Sequence, residues 1–338
     1  MSPRMRPSMC TDAFPVLDSV AELLAGVTDS EPILSAGKSG ARLDRVRIDG
    51  ARHVVKYLDA ETDWTMRAAR IDVVVPAELW RRGVLAALPE VIHQPIVGVA
   101  QEGGVTVLLM EDVSPWLVPV EDAVIPVAQN AWFLDHLAAM HAAFWTTALP
   151  IDVVPVRNRY LELSPAMGAA EAERGSTDLV PRLVREGWPK LAEVAPRAAA
   201  VVLPLAHEPG PLVDALASTP QTFLHGNWKF DNLGTDAAGR TVLFDWELSG
   251  RGAPTFDLAW YLAINTRRLP VAKETCIEEY RAALERHGVA TGPWWDRQLA
   301  LSLLGALVSF GWEKALGGYD EELAWWEERA LEAAPLLG

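Results

Sequence analysis

The residues whose side chains could take part in catalysis or bind a metal lie in one segment, residues 223–234, and in a short run that follows it. The segment reads Phe-Leu-His-Gly-Asn-Trp-Lys-Phe-Asp-Asn-Leu-Gly, with side-chain oxygens at Asn227, Asp231 and Asn232. Eleven residues after Gly234, the apolar run Val-Leu-Phe ends in a second carboxylate, Asp245. Mg²⁺ prefers hard oxygen ligands of these kinds, and phosphoryl transfer requires such ligands. Asn232 and Asp245 are therefore candidate metal ligands.

Two upstream features could hold the phosphates of a nucleotide. Lys56 lies late in a strand-like run, and a glycine loop at residues 35–41, Ser-Ala-Gly-Lys-Ser-Gly-Ala, precedes it by about 16 to 19 residues. This order is typical of kinase folds, whereas the Gly-Lys-Ser lacks the upstream glycine of a Walker motif. Backbone amides of the loop are expected to cover the phosphates at Ser35, Gly37, Ser39 and Gly40.

The first third of the chain supplies strands to position these groups. The alternating run Arg42–Ile48 is followed by Asp49-Gly50 and by a second run at residues 52–57. An Asp-Gly pair between alternating runs is the strongest short-range hairpin signal. A second hairpin is predicted over residues 97–110, and a helix over residues 78–88 between the two.

The remainder of the chain predicts helices. Residues 132–145 have the spacing of a mostly buried helix, and two more helices are expected over residues 294–337. Strand-like runs interrupt this part at residues 222–224 and 241–244. The pattern predicts an α+β fold of two lobes. Its expected units are a nucleotide-binding lobe at residues 1–113, with residues 1–14 flexible, and a helical lobe at residues 114–338.

Composition excludes several classes of protein. The 338 residues are 50% hydrophobic, which is too apolar for a disordered chain. Acidic residues outnumber basic ones by 45 to 30, and this net charge of -15 argues against a nucleic-acid partner. Two cysteines cannot form a disulfide scaffold, and the longest run without a charged residue or a histidine, residues 298–312, is shorter than a membrane span. We expect a cytoplasmic protein, monomeric or homodimeric, with no membrane partner.

Taken together, the motifs resemble the aminoglycoside and choline phosphotransferase family, a small-molecule branch of the protein-kinase-like fold. The family's catalytic loop, His-Gly-Asp followed by Asn, resembles His225-Gly226-Asn227 with Asn232. Its metal-binding segment, an apolar strand that ends in Asp, resembles the run that ends at Asp245. The resemblance covers residues 30 to 335 approximately. It extends to the family's next helix start at residues 253–259, where an Asp braces the catalytic loop, and to its first large-lobe helix at residues 137–142.

The resemblance implies a β-rich N-terminal lobe, a mostly helical C-terminal lobe, and transfer of the γ-phosphate of ATP or GTP to a hydroxyl of an aminoglycoside, amino sugar or similar acceptor. Mg²⁺ would be bound by Asn232 and Asp245, and Lys56 would hold the α- and β-phosphates. The lysine's usual partner is a helix glutamate, for which Glu78 and Glu61 are the candidates. His225 would brace the catalytic loop. The backbone contacts to the base are expected at Glu111 and Val113.

One position departs from the family pattern. Asn227 occupies the place of the Asp that acts toward the acceptor hydroxyl, and Asn accepts a hydrogen bond but takes no proton at neutral pH. The chain is then a weak but real kinase, an engineered variant of an active enzyme, or a catalytically inactive nucleotide-binding or regulatory protein. Positioned proton transfer contributes about 10² to 10⁴-fold. Loss of the base therefore need not abolish transfer.

Two compositional features leave the acceptor open. The acidity modestly favours a cationic acceptor. The helical lobe is rich in tryptophan, and these side chains either fill its core or form a wall of the acceptor pocket. The tryptophans in question are Trp294, Trp295, Trp312, Trp325 and Trp326.

Overall fold

The structure, a computed structural model, describes residues 14–33, 41–59, 61–70, 73–147 and 153–337. The glycine-loop residues predicted to cover the phosphates lie outside the described residues, as do residues 1–13 of the segment expected to be flexible. These glycine-loop residues are Ser35, Gly37, Ser39 and Gly40.

The strands of the described chain fall into one large and two small sheets. The large sheet is antiparallel and has the order β1-β2-β3-β6-β5; the small sheets pair β10 with β7 and order β4-β9-β8. The strands are β1 Val27–Pro32, β2 Arg42–Ile48, β3 Ala51–Leu58, β4 Ile92–His93, β5 Ile96–Glu102, β6 Val105–Glu111, β7 Thr222–Leu224, β8 Leu233–Thr235, β9 Thr241–Leu243 and β10 Gly250–Gly252.

Both predicted hairpins are confirmed. The β2–β3 turn places Asp49 at φ 50° and Gly50 at φ 81°, the positive values that a tight hairpin turn requires. The helix expected over residues 78–88 differs in extent: it begins earlier, at Val75, and ends at Arg81. The left-handed Gly83, at φ 68°, stops it before a short 3₁₀ turn at Leu85–Ala87.

Helices make up most of the chain after β6. The helices are α1 Val20–Leu23, α2 Trp64–Ala69, α3 Val75–Arg81, α4 Val127–Ala143, α5 Val156–Leu161, α6 Pro165–Glu173, α7 Leu179–Val194, α8 Pro196–His207, α9 Gly210–Ala217, α10 Pro254–Ile264, α11 Lys273–Arg286, α12 Trp295–Leu316 and α13 Glu321–Ala333. This strand-rich first part and helical second part form the predicted α+β fold. A division near residue 113 stays a prediction.

Helix α12 is the centre of the helical part. It packs against α7, α10 and α13, and α7 approaches it so closely that a Cβ on Gly187 would lie 2.2 Å from the Trp312 carbonyl oxygen. Within the described chain, α12 is long and apolar enough to cross a membrane, but 72% of its most apolar window is buried inside the protein. Such burial is what a core helix of a folded domain shows. Trp312, Trp295 and Trp326 are also buried in this core.

The two small sheets bring residues 223–234 close to Asp245. Strand β7 ends at Leu224, directly before His225, and pairs with β10. The β8–β9 hairpin pairs Leu233 with Leu243, so that Asn232 just before β8 lies across from Phe244. The Phe244 amide is 3.5 Å from the Asn232 carbonyl oxygen. The hairpin therefore delivers Asn232 and Asp245 to the same end.

Candidate functional site

The loop after β7 is held by a buried carboxylate of α10. The backbone amides of His225 and Gly226 donate to Oδ2 and Oδ1 of Asp257, each over 2.9 Å. Asp257 is fully buried in the first turn of α10, and His141 of α4 contacts its Oδ2 at 3.3 Å through Nε2. Both carboxylate oxygens are thus used to fix the start of the loop. This is the bracing that the resemblance implied for this Asp.

Gly226 is required by the shape of the loop. Its φ of 78° lies in the left-handed region, and a Cβ there would meet the carbonyl oxygen of Leu248 at 2.1 Å. A side chain would therefore both strain the backbone and displace the 3₁₀ turn Trp246–Leu248. The loop and the segment that carries Asp245 are in direct backbone contact here.

His225 links the same two segments through its ring. Its Nε2 lies 3.0 Å from the Phe244 carbonyl oxygen, and its Nδ1 accepts from the Asn227 amide over 3.3 Å. These partners assign the proton to Nε2. Burial lowers the pKa of His225 to about 4, although the charge of Asp257 opposes this. His225 is therefore neutral at pH 7 and braces the loop rather than acting as an acid or a base.

Lys56 joins the large sheet to this loop region. Its Nζ donates to Asp245 Oδ1 over 2.7 Å and forms an ion pair with Glu247 Oε1, also at 2.7 Å. Lys56 is 8% exposed. Burial acts to lower the pKa of Lys56, but the two carboxylates outweigh it and raise the pKa above the ordinary value. The lysine is therefore a fixed cation at the interface between β3 and the segment after β9.

Asp245 is the most distinctive residue of the cluster. It adopts a left-handed backbone conformation, φ 66° and ψ 58°, which is uncommon for a residue other than glycine. Burial opposes ionisation, but the charges of Lys56 and Lys229 lower the pKa of Asp245 below its ordinary range. Its side chain keeps 29% exposure. Strained, ionised and partly open, Asp245 has the properties of a functional carboxylate.

The expected pairing of Lys56 with Glu78 is not formed. Glu78 forms its ion pair with Arg81, one turn further along α3, and neither Glu78 nor Glu61 forms an ion pair with Lys56 in the described chain. Glu247 takes that role, because the 3₁₀ turn after Asp245 directs it at the lysine. Sequence reasoning missed Glu247. The signal was its position two residues after Asp245.

Asn227 and Asn232 are tied to each other through the loop backbone. The Asn232 side-chain amide donates to the Asn227 carbonyl oxygen over 3.0 Å, and this orientation leaves Oδ1 of Asn232 without a donor among the described residues. No group of three or more His, Cys, Asp or Glu side chains in the described chain could hold a metal ion. Asp245 and Asn232 nevertheless fit Mg²⁺, which is usually held by one or two carboxylates together with phosphate oxygens and waters.

The end of β6 is the predicted base-binding segment. The Glu111 amide donates to the Pro95 carbonyl oxygen over 2.9 Å, and the Val113 carbonyl oxygen accepts from the Trp116 amide over 2.9 Å. Among the described residues, no hydrogen bond from the Val113 amide is formed. The Glu111 carboxylate is held by His93 Nε2 at 2.9 Å. Val113 therefore offers the clearer backbone contact.

Comparison with known proteins gives a family and a fold. Residues 45–297 match the model of the phosphotransferase enzyme family. The choline kinase LicA from Streptococcus pneumoniae is 13% identical, with coverage of 93% of this chain and 96% of that chain and a TM-score of 0.53. A microcompartment-associated aminopropanol kinase is 11% identical, with 94% coverage of each chain and a TM-score of 0.51. No curated protein matches the sequence significantly. The structural likeness confirms the predicted two-lobed protein-kinase-like fold.

Proposed function

Because the chain belongs to the phosphotransferase enzyme family, we propose that it transfers the γ-phosphate of ATP, or of GTP, to a hydroxyl group of a small molecule such as an aminoglycoside or amino sugar. The observation that carries this proposal is the cluster of Lys56, Asp245 and Glu247, with both carboxylates 2.7 Å from the lysine. A buried cation beside a partly open carboxylate can bind a phosphate and its counter-ion.

Lys56 and Asp245 have separate tasks in this proposal. Lys56 binds the α- and β-phosphates while Glu247 keeps it in place. Asp245 and Asn232 would hold Mg²⁺, whose charge would neutralise the phosphate oxygens. Asp245, which contacts Lys56 over 2.7 Å, would thus place the cation beside the lysine. The Val113 amide, and the backbone at Glu111, would contact the base.

Asn227 faces the acceptor hydroxyl in this arrangement. Its side-chain oxygen can accept a hydrogen bond from that hydroxyl and so orient it, but it cannot take the proton. Phosphoryl transfer passes through a loose transition state, so that orientation and charge neutralisation carry most of the catalysis. We therefore expect slow transfer, reduced by about 10² to 10⁴-fold relative to a chain with a carboxylate at this position.

The acceptor is proposed from charge. The net charge of -15 favours a cationic small molecule over an anionic one. A panel of aminoglycosides and amino sugars, together with choline and aminopropanol, for which the two structural relatives are named, covers this class. A cytoplasmic location and a monomeric or homodimeric state remain predictions from composition.

The test measures phosphate transfer from ATP and from GTP across this panel, for the wild-type chain and for Asn227→Asp. A gain of about 10²-fold or more in the variant on at least one acceptor supports the proposal. If neither protein transfers phosphate although both bind Mg-ATP, the second candidate function holds, a nucleotide-binding protein without catalysis. Asn227 is the observation that favours this second candidate. Failure of both proteins to bind Mg-ATP would remove both candidates.

A further inference from the structure

We propose that Arg159 of α5 is a positioning residue of the catalytic loop, which it holds through the carbonyl oxygen of Gly226. The inference rests on the proposed function, since it assigns Asn227 the place next to the acceptor. Arg159 comes 67 residues before Gly226 in the chain, and its Nη2 donates to that carbonyl oxygen over 2.6 Å.

Gly226 is thereby held from two sides. Its amide donates to Asp257 Oδ1 over 2.9 Å, and its carbonyl oxygen accepts from Arg159. The carbonyl belongs to the peptide bond that leads into Asn227. Since a peptide unit is planar, fixing this carbonyl also fixes the direction in which the Asn227 backbone begins. Arg159 therefore controls the orientation of the residue that faces the acceptor.

The guanidinium is buried and has two further contacts, with Trp260 and with Glu162. Arg159 is 2% exposed, its Cζ lies 4.5 Å from the centre of the Trp260 ring, and it forms an ion pair with Glu162. Burial lowers the pKa of Arg159 to about 9, although the charge of Asp257 opposes this, so the side chain stays charged at neutral pH. A charge-assisted hydrogen bond to the loop is thus maintained.

Stability alone does not account for an arginine here. Its Nε is buried with no hydrogen-bond partner, and a buried ion pair generally stabilises a fold no more than apolar side chains of similar volume. A guanidinium differs from those side chains in that it can hold a carbonyl oxygen in a fixed direction. The contact with Gly226 is therefore the feature that an apolar residue could not replace.

Helix α5 is also anchored through the residue before Arg159. The side-chain amide of Asn158 donates to the carbonyl oxygens of Ala69 and Arg70, over 2.8 and 3.3 Å, at the end of α2. Neighbouring residues of α5 thus contact the strand-rich part of the chain and the catalytic loop. These hydrogen bonds help to fix the position of α5 and therefore of Arg159.

Loss of Arg159 should slow phosphate transfer and leave nucleotide binding nearly unchanged. Lys56 and Asp245 hold the nucleotide from β3 and the β9 segment, so nucleotide affinity should change little. The rate of transfer to the acceptor should fall, because a displacement of about 1 Å can lower a rate by about 10²-fold. The test uses Arg159→Lys, which keeps the charge, and the double variant Arg159→Met with Glu162→Gln, which removes both members of the ion pair together. The control is Arg157→Met, on the same helix, whose ion pair with Glu208 is exposed.

Two readouts decide the matter: kcat and nucleotide KM for transfer, and hydrogen exchange of residues 225–229. The expected result is a kcat lower by about tenfold or more in the double variant, a smaller loss in Arg159→Lys, a nucleotide KM within about threefold of wild type, and loop amides that exchange about tenfold faster. Arg157→Met should match wild type.

Unchanged kcat and exchange in Arg159→Lys and the double variant would overturn the inference. If the wild-type chain binds Mg-ATP but transfers no phosphate, the proposed function fails and the exchange measurement alone still decides the role of Arg159. Should the double variant not fold, Arg159→Lys decides by the same readouts.

Discussion

Lys56 Nζ lies 2.7 Å from Oε1 of Glu247, a residue that follows Asp245 by two positions. The lysine of the sheet is therefore held by the same segment that carries the candidate metal ligand. Its partner comes from a 3₁₀ turn of the helical part rather than from α3. One short segment, residues 245–247, thus determines both the lysine's position and the carboxylate's.

Glu247→Gln should weaken nucleotide binding, whereas Glu78→Gln should not. Without the charge of Glu247, Lys56 keeps only Asp245 as an ionic partner, and the lysine would then compete with the metal for the Asp245 carboxylate. We expect the dissociation constant for Mg-ATP to rise by about tenfold or more, which corresponds to ~1.4 kcal/mol. Glu78→Gln removes an ion pair to Arg81 on the same helix and should leave the affinity near wild type. Calorimetric titration of the two variants compares these effects. A larger loss of Mg-ATP affinity in Glu78→Gln than in Glu247→Gln would show that the partner of Lys56 lies on α3.

Gly226→Ala should destabilise the protein more than Gly239→Ala. Both glycines have φ 78°, so that alanine is strained equally at both positions, but only at Gly226 does a Cβ meet a neighbour, the Leu248 carbonyl oxygen at 2.1 Å. We expect a loss of about 1 kcal/mol in the free energy of unfolding for Gly239→Ala, from backbone strain. The loss for Gly226→Ala should be about 4 kcal/mol or more, because the loop must also move. Urea unfolding measures both. Equal losses would show that the loop does not contact Leu248 this closely.

His225 should make the protein less stable as the pH falls below neutral. The pKa of His225 in the folded protein, about 4, is lower than the ordinary 6.5. Between pH 4 and pH 6.5, the side chain is therefore protonated in the unfolded chain but not in the folded protein. Stability is therefore full above about pH 6.5 and decreases as the pH falls toward 4. At pH 5 the contribution lost is about 2 kcal/mol.

The matched variant for this prediction is His225→Asn, which keeps an acceptor near the Asn227 amide but does not titrate. Urea unfolding near pH 7 and near pH 5 should show a smaller decrease in stability for the variant than for wild type, by about 2 kcal/mol. The same decrease in both proteins would mean that His225 is not a buried neutral base.

Local patterns in the sequence were sufficient for much of this site. The hairpin turn at Asp49-Gly50 and the apolar run before Asp245 are read from adjacent residues, and both predictions agree with the structure. Glu247 and Arg159 depend instead on tertiary packing. The choice between Glu78 and Glu247 rests on where α3 ends and how the turn after β9 is directed, and Arg159 reaches Gly226 only because α5 packs beneath the loop. No periodicity within either segment encodes such contacts.

The proposed phosphotransferase activity depends most directly on Asp245 and on the metal-dependent binding of a nucleotide. Calorimetric titration of ATP into the wild-type chain and into Asp245→Ala, each with and without Mg²⁺, tests it. We predict that Mg²⁺ strengthens binding to the wild-type chain by about tenfold or more, and that this dependence is lost in Asp245→Ala. Equal binding with and without Mg²⁺, or no binding of ATP to the wild-type chain, would contradict the proposed function.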